Sequence, residues 1–323
     1  MTEAAFIKAN LQRWQNFEAI LKNPSGKNPD KLKTLYLQLT DDVAYAETYF
    51  SDGEITAYLH NLAGQVHKRV YRNQKNQGKR FADFWVKEVP AVCYHHRKQL
   101  RYAFLIFSIS ILVGVFSAQQ DQSFVRLILG DGYVAMTDEN IAKNDPMAVY
   151  KNMGQTDMFF AITFNNVRVS FLAFAFGLLS AFGTGFVLFQ NGVMVGAFHF
   201  YFYQKGLFLT SFLTIWIHGT LELSAIVIAG AAGMIMGNGL FFPGSYPRLE
   251  SFTRAAKDAV KLAVGLVPIF ITAGFLESFI TRQTEMHIAY KLLIIGGSAF
   301  FIIFYFVIYP QKLHKYGIIK TQH

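Results

Sequence analysis

Ile215-Trp-Ile-His-Gly-Thr-Leu-Glu-Leu-Ser-Ala-Ile-Val-Ile-Ala-Gly-Ala-Ala-Gly-Met234 is apolar over nearly its whole length, yet it carries one histidine and one glutamate. It sits inside an apolar run, 207–237, longer than the ~20 residues that carry a helix across a bilayer. Such a run reads as a membrane helix. Its length predicts a tilted span or a break at His218-Gly219. His218 and Glu222 are four apart and share one helix face. On an adjoining row Ala225, Ala229, Gly233 and Gly237 form a stripe of small residues, which lets two helices approach closely in lipid. The polar pair and the stripe overlap in direction, so the helix is expected to present both to a neighbouring helix. The stripe also motivates a homodimer.

Working outward, five further apolar segments follow the same pattern, at roughly 102–118, 159–181, 183–203, 259–280 and 290–309. The expected fold is all-α: a polytopic helical membrane protein of about six transmembrane helices, one or two of them broken or re-entrant. The weakest boundary is Gly183-Thr184-Gly185, where 159–203 has almost no room for a turn. Composition agrees. Hydrophobic residues are 52 % of the chain and charged residues 16 %, against roughly 25 % charged in soluble domains.

Residues 1–100 differ in kind, with 15 Lys/Arg and 10 Asp/Glu. Phe6, Leu11, Trp14, Phe17, Ile20 and Leu21 recur at helical spacing, and Asn23-Pro24-Ser25-Gly26 stops them. Pro29 opens a second helix through Leu32, Leu35, Tyr36, Leu39, Val43 and Tyr45. Ser51 or Asp52 caps a third, with Ile55, Tyr58, Leu59, Leu62, Val66 and Val70. Phe81, Phe84 and Trp85 ahead of Pro90 and a basic group predict an interfacial helix near 81–89. The expected organisation is a cytoplasmic helical region over 1–100, a membrane core over 101–310 and a basic cytoplasmic tail over 311–323.

Charge sets the expected topology. The connection 119–157 has six acidic and three basic residues, 238–261 has four basic and two acidic, and the tail has Lys312, Lys315 and Lys320 with no acid. Six crossings of the inner or plasma membrane with both termini cytoplasmic satisfy all three. No apolar run opens the chain, so no cleavable signal peptide is expected. The net charge of +9 fits a membrane surface facing anionic lipid, and no nucleic-acid-binding motif is present. A single cysteine, Cys93, excludes an intrachain disulfide and a cysteine-built metal site.

Ionisable groups within spans are costly and mark a candidate site. These are Arg168, Glu222 and Glu277, with His199 and His218, while Asn165, Asn166 and Asn191 add hydrogen-bonding capacity. Arg168 needs a counter-charge, which Glu222 or Glu277 would supply. Gly192 and Gly196 are read as helix-packing positions. One His and one Glu fall short of the His-Glu-x-x-His spacing of a metal hydrolase, so no catalytic residue, metal ligand or cofactor is assigned. Three readings stay open: mutual pairing that fixes helix packing, a substrate, ion or proton site of a transporter, channel or lipid-moving protein, and an intramembrane hydrolase.

Phe160-Ala-Ile-Thr-Phe-Asn-Asn-Val-Arg168, Gln190-Asn-Gly-Val-Met-Val-Gly-Ala197, His218 to Gly233 and Phe275-Leu-Glu-Ser-Phe-Ile280 carry a resemblance, joined by Leu35-Tyr36 and Tyr58 to Tyr71. The chain resembles the stage II sporulation protein M family of membrane proteins. The resemblance implies a non-enzymatic scaffold at the cell envelope, tied in sporulation to peptidoglycan degradation and septal membrane movement. It implies a protein partner, brings no catalytic residues, and leaves Asn165, Asn166, Arg168, Asn191, Gly192, His218, Gly219, Glu222 and Glu277 without an assigned role. The leading expectation is a homodimer that organises cell-envelope or cytoplasmic partners in the bilayer.

Overall fold

The computed structural model describes residues 2–22, 29–51, 53–70, 81–151, 154–178 and 181–319. The expected breaker Asn23–Gly26, the cap residue Asp52 and Lys320 lie outside them. The described residues are all-α and divide into two compact units, Met1–Phe81 and Ala82–His323.

The first unit holds α1 (Glu3–Lys22), α2 (Pro29–Tyr49) and α3 (Glu54–Val70). Phe6, Trp14 and Phe17 of the predicted stripe are buried with Leu39, Leu59 and Leu62, while Leu11 faces out. Trp14 also needs a partner for its indole N–H. It donates to Asp42 at 2.9 Å, and the Arg13 guanidinium grips the same carboxylate at 2.6 Å. The Tyr58 hydroxyl donates to Glu18 at 3.0 Å. Burial, with Glu18 beside it, pushes the Tyr58 phenol up to about 12.

The second unit opens with a π turn, Phe84–Glu88, and α4 (Val89–His95). Pro90 has no N–H to give back to the preceding turn. The carbonyls of the turn before it accept hydroxyls: Trp85 from Tyr305 at 2.6 Å and Val86 from Tyr309 at 3.2 Å. After α4 come α5 (Arg97–Gln120), α6 (Gln122–Leu129), α7 (Asp131–Ala142), a 3-10 turn at Ala148–Lys151, and α8 (Gln155–Ala175), which ends in a 3-10 turn at Phe176–Leu178. Then follow α9 (Ala181–Gln204), α10 (Phe208–Phe241), α11 (Arg248–Phe275), a π turn at Leu276–Thr281, α12 (Ile288–Ile303), a π turn at Phe304–Ile308 and α13 (Tyr309–Lys315).

Among the described residues, five helices are long and apolar enough to cross a membrane: Arg97–Gln120, Gln155–Leu178, Phe208–Phe241, Arg248–Thr281 and Ile288–Lys315. The sixth expected span, α9, is a continuous helix of 24 residues that is not among these five. Of the two alternatives for this long run, a tilt or a break at His218-Gly219, the break does not occur: α10 runs unbroken for 34 residues. Its span is 78 % buried inside the protein, against 6 % for Ile288–Lys315, so α10 is the axle of the unit and α12 a peripheral helix. It packs against α5, α8, α9, α11 and α12.

The small stripe explains how so many helices reach one axle. Ala225 and Ala229 are fully buried and Gly237 is buried with them. A Cβ on Gly233 would fall against Thr184 Oγ1 and 2.7 Å from the Ala173 carbonyl. The stripe is thus filled by α8 and α9 of the same chain. Gly192 and Gly196 do the same for the α5 contact, where a Cβ would meet Phe107 O at 2.8 Å and the Ile111 carbonyl. Val227, on a face a simple lipid-exposed helix would leave open, is buried as well.

The acidic connection is no open loop. Val125, Val134 and Met147 pack with Ala118, Ala197, Tyr201 and Phe202 into a second apolar cluster. Asp121 caps α6, accepting from Ser123 N at 2.8 Å. Asp138 accepts from Tyr201 at 2.7 Å and from Lys205 at 2.6 Å. The Lys205 ammonium above all holds the Asp138 carboxyl below its ordinary value. These contacts fasten the connection to the end of α9.

Candidate functional site

The polar groups of α10 face two neighbours. One is α8, whose Thr163, Asn166 and Ser170 recur on one face; Asn166 and Ser170 are buried and Thr163 half-buried. The other is the π turn that ends α11. A π turn adds a residue to the helical turn and re-aims its side chains. Here it aims Glu277 and Thr281 at His218. The imidazole Nδ1 lies 3.0 Å from Thr281 Oγ1, and Nε2 lies 3.7 Å from Glu277 Oε1. One ligand atom from each of His218, Glu222 and Glu277 falls within 4.8 Å of the others. The His218 side chain is 6 % exposed and that of Glu277 13 %.

Asn166 sits beside Glu222, yet its Nδ2 has no partner in hydrogen-bonding geometry. Nor do the hydroxyls of Thr163, Ser170 and Ser278. Buried polar atoms without partners are few in native proteins, and three of these four share the α8 face. The niche is closed at one end by the 3-10 turn Ala148–Lys151, where the Tyr150 ring meets the His218 ring edge-on at 5.8 Å between centroids. Burial, with Glu277, Tyr133 and Glu222 nearby, holds the Tyr150 phenol well above its ordinary value. It therefore stays neutral and protonated at any physiological pH.

Of the candidate residues, His218, Glu222, Glu277 and Asn166 meet. The others do not join them. Arg168 is exposed on α8 beside Phe164, Val167, Phe171 and Leu172, and it makes no ion pair among the described residues. Asn165, three residues earlier, is exposed too. Neither glutamate pairs with Arg168, because Arg168 projects from the opposite side of α8 from Asn166 and Ser170. Asn191 returns to its own helix, donating to the Val187 carbonyl at 2.8 Å. His199 is a lock between α9 and α10: its Nδ1 bonds the Val195 carbonyl at 2.9 Å, and its Nε2 accepts from Trp216 Nε1 at 2.9 Å. Sequence reasoning missed Thr281, Thr163, Ser170, Ser278 and Tyr150. Thr281 had a signal, since it lies one turn beyond Glu277; Tyr150 had none.

The arrangement holds two carboxylates and an imidazole in a niche that contains no basic side chain from the described residues. Such a set of carboxylate oxygens and an imidazole nitrogen has the chemistry to hold a cation. The third group that the sequence did not make obvious is Glu277, brought in by the fold rather than by spacing along one helix.

No curated protein and no solved structure matches the chain. A domain of unknown function, DUF8413, matches residues 4–72, within the first unit. The family profile for stage II sporulation protein M matches residues 103–282, more than half of the chain, from α5 through the π turn that carries Glu277. With that match over the core that builds the niche, the chain belongs to the stage II sporulation protein M family.

Proposed function

We propose that this protein is a six-span membrane protein whose core binds a cation, with both termini in the cytoplasm and the 121–154 connection outside. One observation carries the cation reading. Two carboxylates and an imidazole are buried together, and no Lys or Arg among the described residues pairs with either carboxylate. An uncompensated buried charge costs several kcal/mol, and a bound cation removes that cost. The position suits uptake from outside: the niche lies near the helix ends that meet the 121–154 connection. The sixth span is α9, whose 24 residues reach about 36 Å at 1.5 Å each. The outside assignment rests on the acidic connection and on Arg97, Lys98, Arg101, Arg254, Lys257, Lys312 and Lys315 near the opposite helix ends.

The homodimer expected from the small stripe loses that support, since the stripe is filled within one chain. The separately packed N-terminal unit supports a second role, organising a cytoplasmic partner at the cell envelope, in keeping with the family's tie to wall remodelling.

The test is the melting temperature of the purified full chain in nanodiscs, against Na+, K+, Mg2+, Ca2+ and Zn2+ after chelator treatment. A ligand that binds only the folded state raises stability by mass action. One of these cations should raise the melting temperature, and the rise should vanish in Glu222→Gln and Glu277→Gln. If no cation moves the wild type, the reading fails.

A further inference from the structure

We propose that His218, Glu222 and Glu277 bind a divalent transition-metal ion through the imidazole Nε2 and one oxygen of each carboxylate. The inference rests on the cation reading above and names the class of cation.

Four observations select it. The first is spacing. Zinc-like ions hold nitrogen and oxygen at about 2.0–2.2 Å, which sets neighbouring tetrahedral ligands ~3.4 Å apart. Nε2 and Glu277 Oε1 stand at 3.7 Å, too far for a hydrogen bond and close to that edge. Glu222 closes the triangle within 4.8 Å, a gap that small side-chain rotations remove. The second is the outer contact of the histidine. A metal-bound imidazole gives its other ring N–H to a fixed acceptor, which orients the ring and sets the tautomer. Thr281 Oγ1 lies 3.0 Å from Nδ1 and fills that role. With the proton on Nδ1, the Nε2 lone pair is free as a ligand, 3.7 Å from Glu277 Oε1.

The third is charge. Once ionised to hold the ion, two carboxylates and a neutral imidazole carry a formal charge of −2, which a divalent ion cancels inside the bilayer. A monovalent ion leaves one charge buried. The fourth is ligand type. Calcium takes six to eight oxygens, and magnesium keeps most of its water. A niche with one nitrogen and two carboxylates matches the ions that accept imidazole. The Asn166 amide, 6 % exposed and beside Glu222, stands where it can serve the remaining position. Exchanging its amide nitrogen and oxygen, which are interchangeable by a flip, turns Oδ1 inward as a further oxygen donor.

The experiment uses the full chain in nanodiscs, stripped with chelator and reloaded. Elemental analysis should find one Zn2+ per chain after exchange into metal-free buffer. Co2+ loading should give the visible absorption of a low-coordinate nitrogen–oxygen site. His218→Gln should abolish the Co2+ band and lower Zn2+ affinity at least tenfold, with an unchanged melting temperature in chelator as proof of folding. Thr281→Val keeps all three ligands and should weaken Zn2+ by 10- to 100-fold, an effect a purely structural threonine would not produce. Failure to retain stoichiometric Zn2+ or Co2+, or binding that survives His218→Gln, overturns the inference. If Na+ or Ca2+ still raises the melting temperature in that case, the cation reading stands without the transition metal. If none does, both fall.

Discussion

Arg168 and Glu222 look like natural partners on paper, and at the residue scale they behave as strangers. A double-mutant cycle of Arg168→Ala and Glu222→Ala should therefore be additive within about 0.5 kcal/mol, as for sites without shared contacts. Thermal melts of the four proteins measure it, and a coupling above 1 kcal/mol would restore the ion pair. Asp138 offers a pH test in the outer connection. Its pKa is lowered in the folded protein by Lys205. The folded protein thus binds its proton less readily than the unfolded chain does. The contribution is present above the unfolded carboxylate value of about 3.9, and it fades as pH falls through the lower folded value. Hydrogen exchange over 131–142 should be faster in Asp138→Asn than in wild type at neutral pH, with the difference closing only in strong acid.

At the scale of elements, tight helix contacts and π turns give the expectations. Gly233 lies where α10 touches α8 and α9, and its Cβ has no room. Gly233→Leu should lower stability by about 1–3 kcal/mol or more through overpacking. Gly297→Ala in α12, with nothing within 4 Å of its Cβ, should leave the melting temperature nearly unchanged. Equal melts for the two would remove α10 from its place as axle. The paired turns at Phe84–Glu88 and Phe304–Ile308 are tied by the Tyr305 hydroxyl, which donates to the Trp85 carbonyl. Tyr305→Phe should cost roughly 1 kcal/mol, the net worth of one such bond, and expose the Trp85 amide region to solvent-exchange probes first.

On the scale of the whole molecule, the two units have separate cores. Trp14→Ala empties the centre of the first core and should destabilise it by about 3–5 kcal/mol. Far-UV melts should then show the N-terminal unit unfolding alone, with the membrane unit unmoved. A single merged transition shifted as a whole would contradict independent cores. Topology is tested in a background lacking Cys93, which is buried. Cysteines at Asn140 and Gly244 should differ. The first is labelled by an impermeant reagent on intact cells, and the second only after permeabilisation. Labelling of both from outside would break the six-span arrangement.

Hydropathy and charge, which depend on composition along the chain and not on neighbours in space, determined the helical membrane class, the more charged character of the first hundred residues and the segments that became α5, α8, α9, α10, α11 and α12. Periodicity likewise marked Trp14 and Phe17 as core, and the His218/Glu222 face as a site. The partner of that face was out of reach. Glu277 lies 55 residues beyond Glu222 in the sequence, and it meets His218 only because a π turn rotates it inward. Arg168 was misjudged for the same reason: hydropathy records that a charge lies in a span but not which way its helix is turned. The small stripe has the composition of a close-packing surface, yet sequence could not say whether a second copy or the same chain fills it. Helix rotation and neighbour identity are set by packing in three dimensions, so the tertiary structure alone placed α8 and α9 on the stripe and assembled two carboxylates and an imidazole without a basic partner.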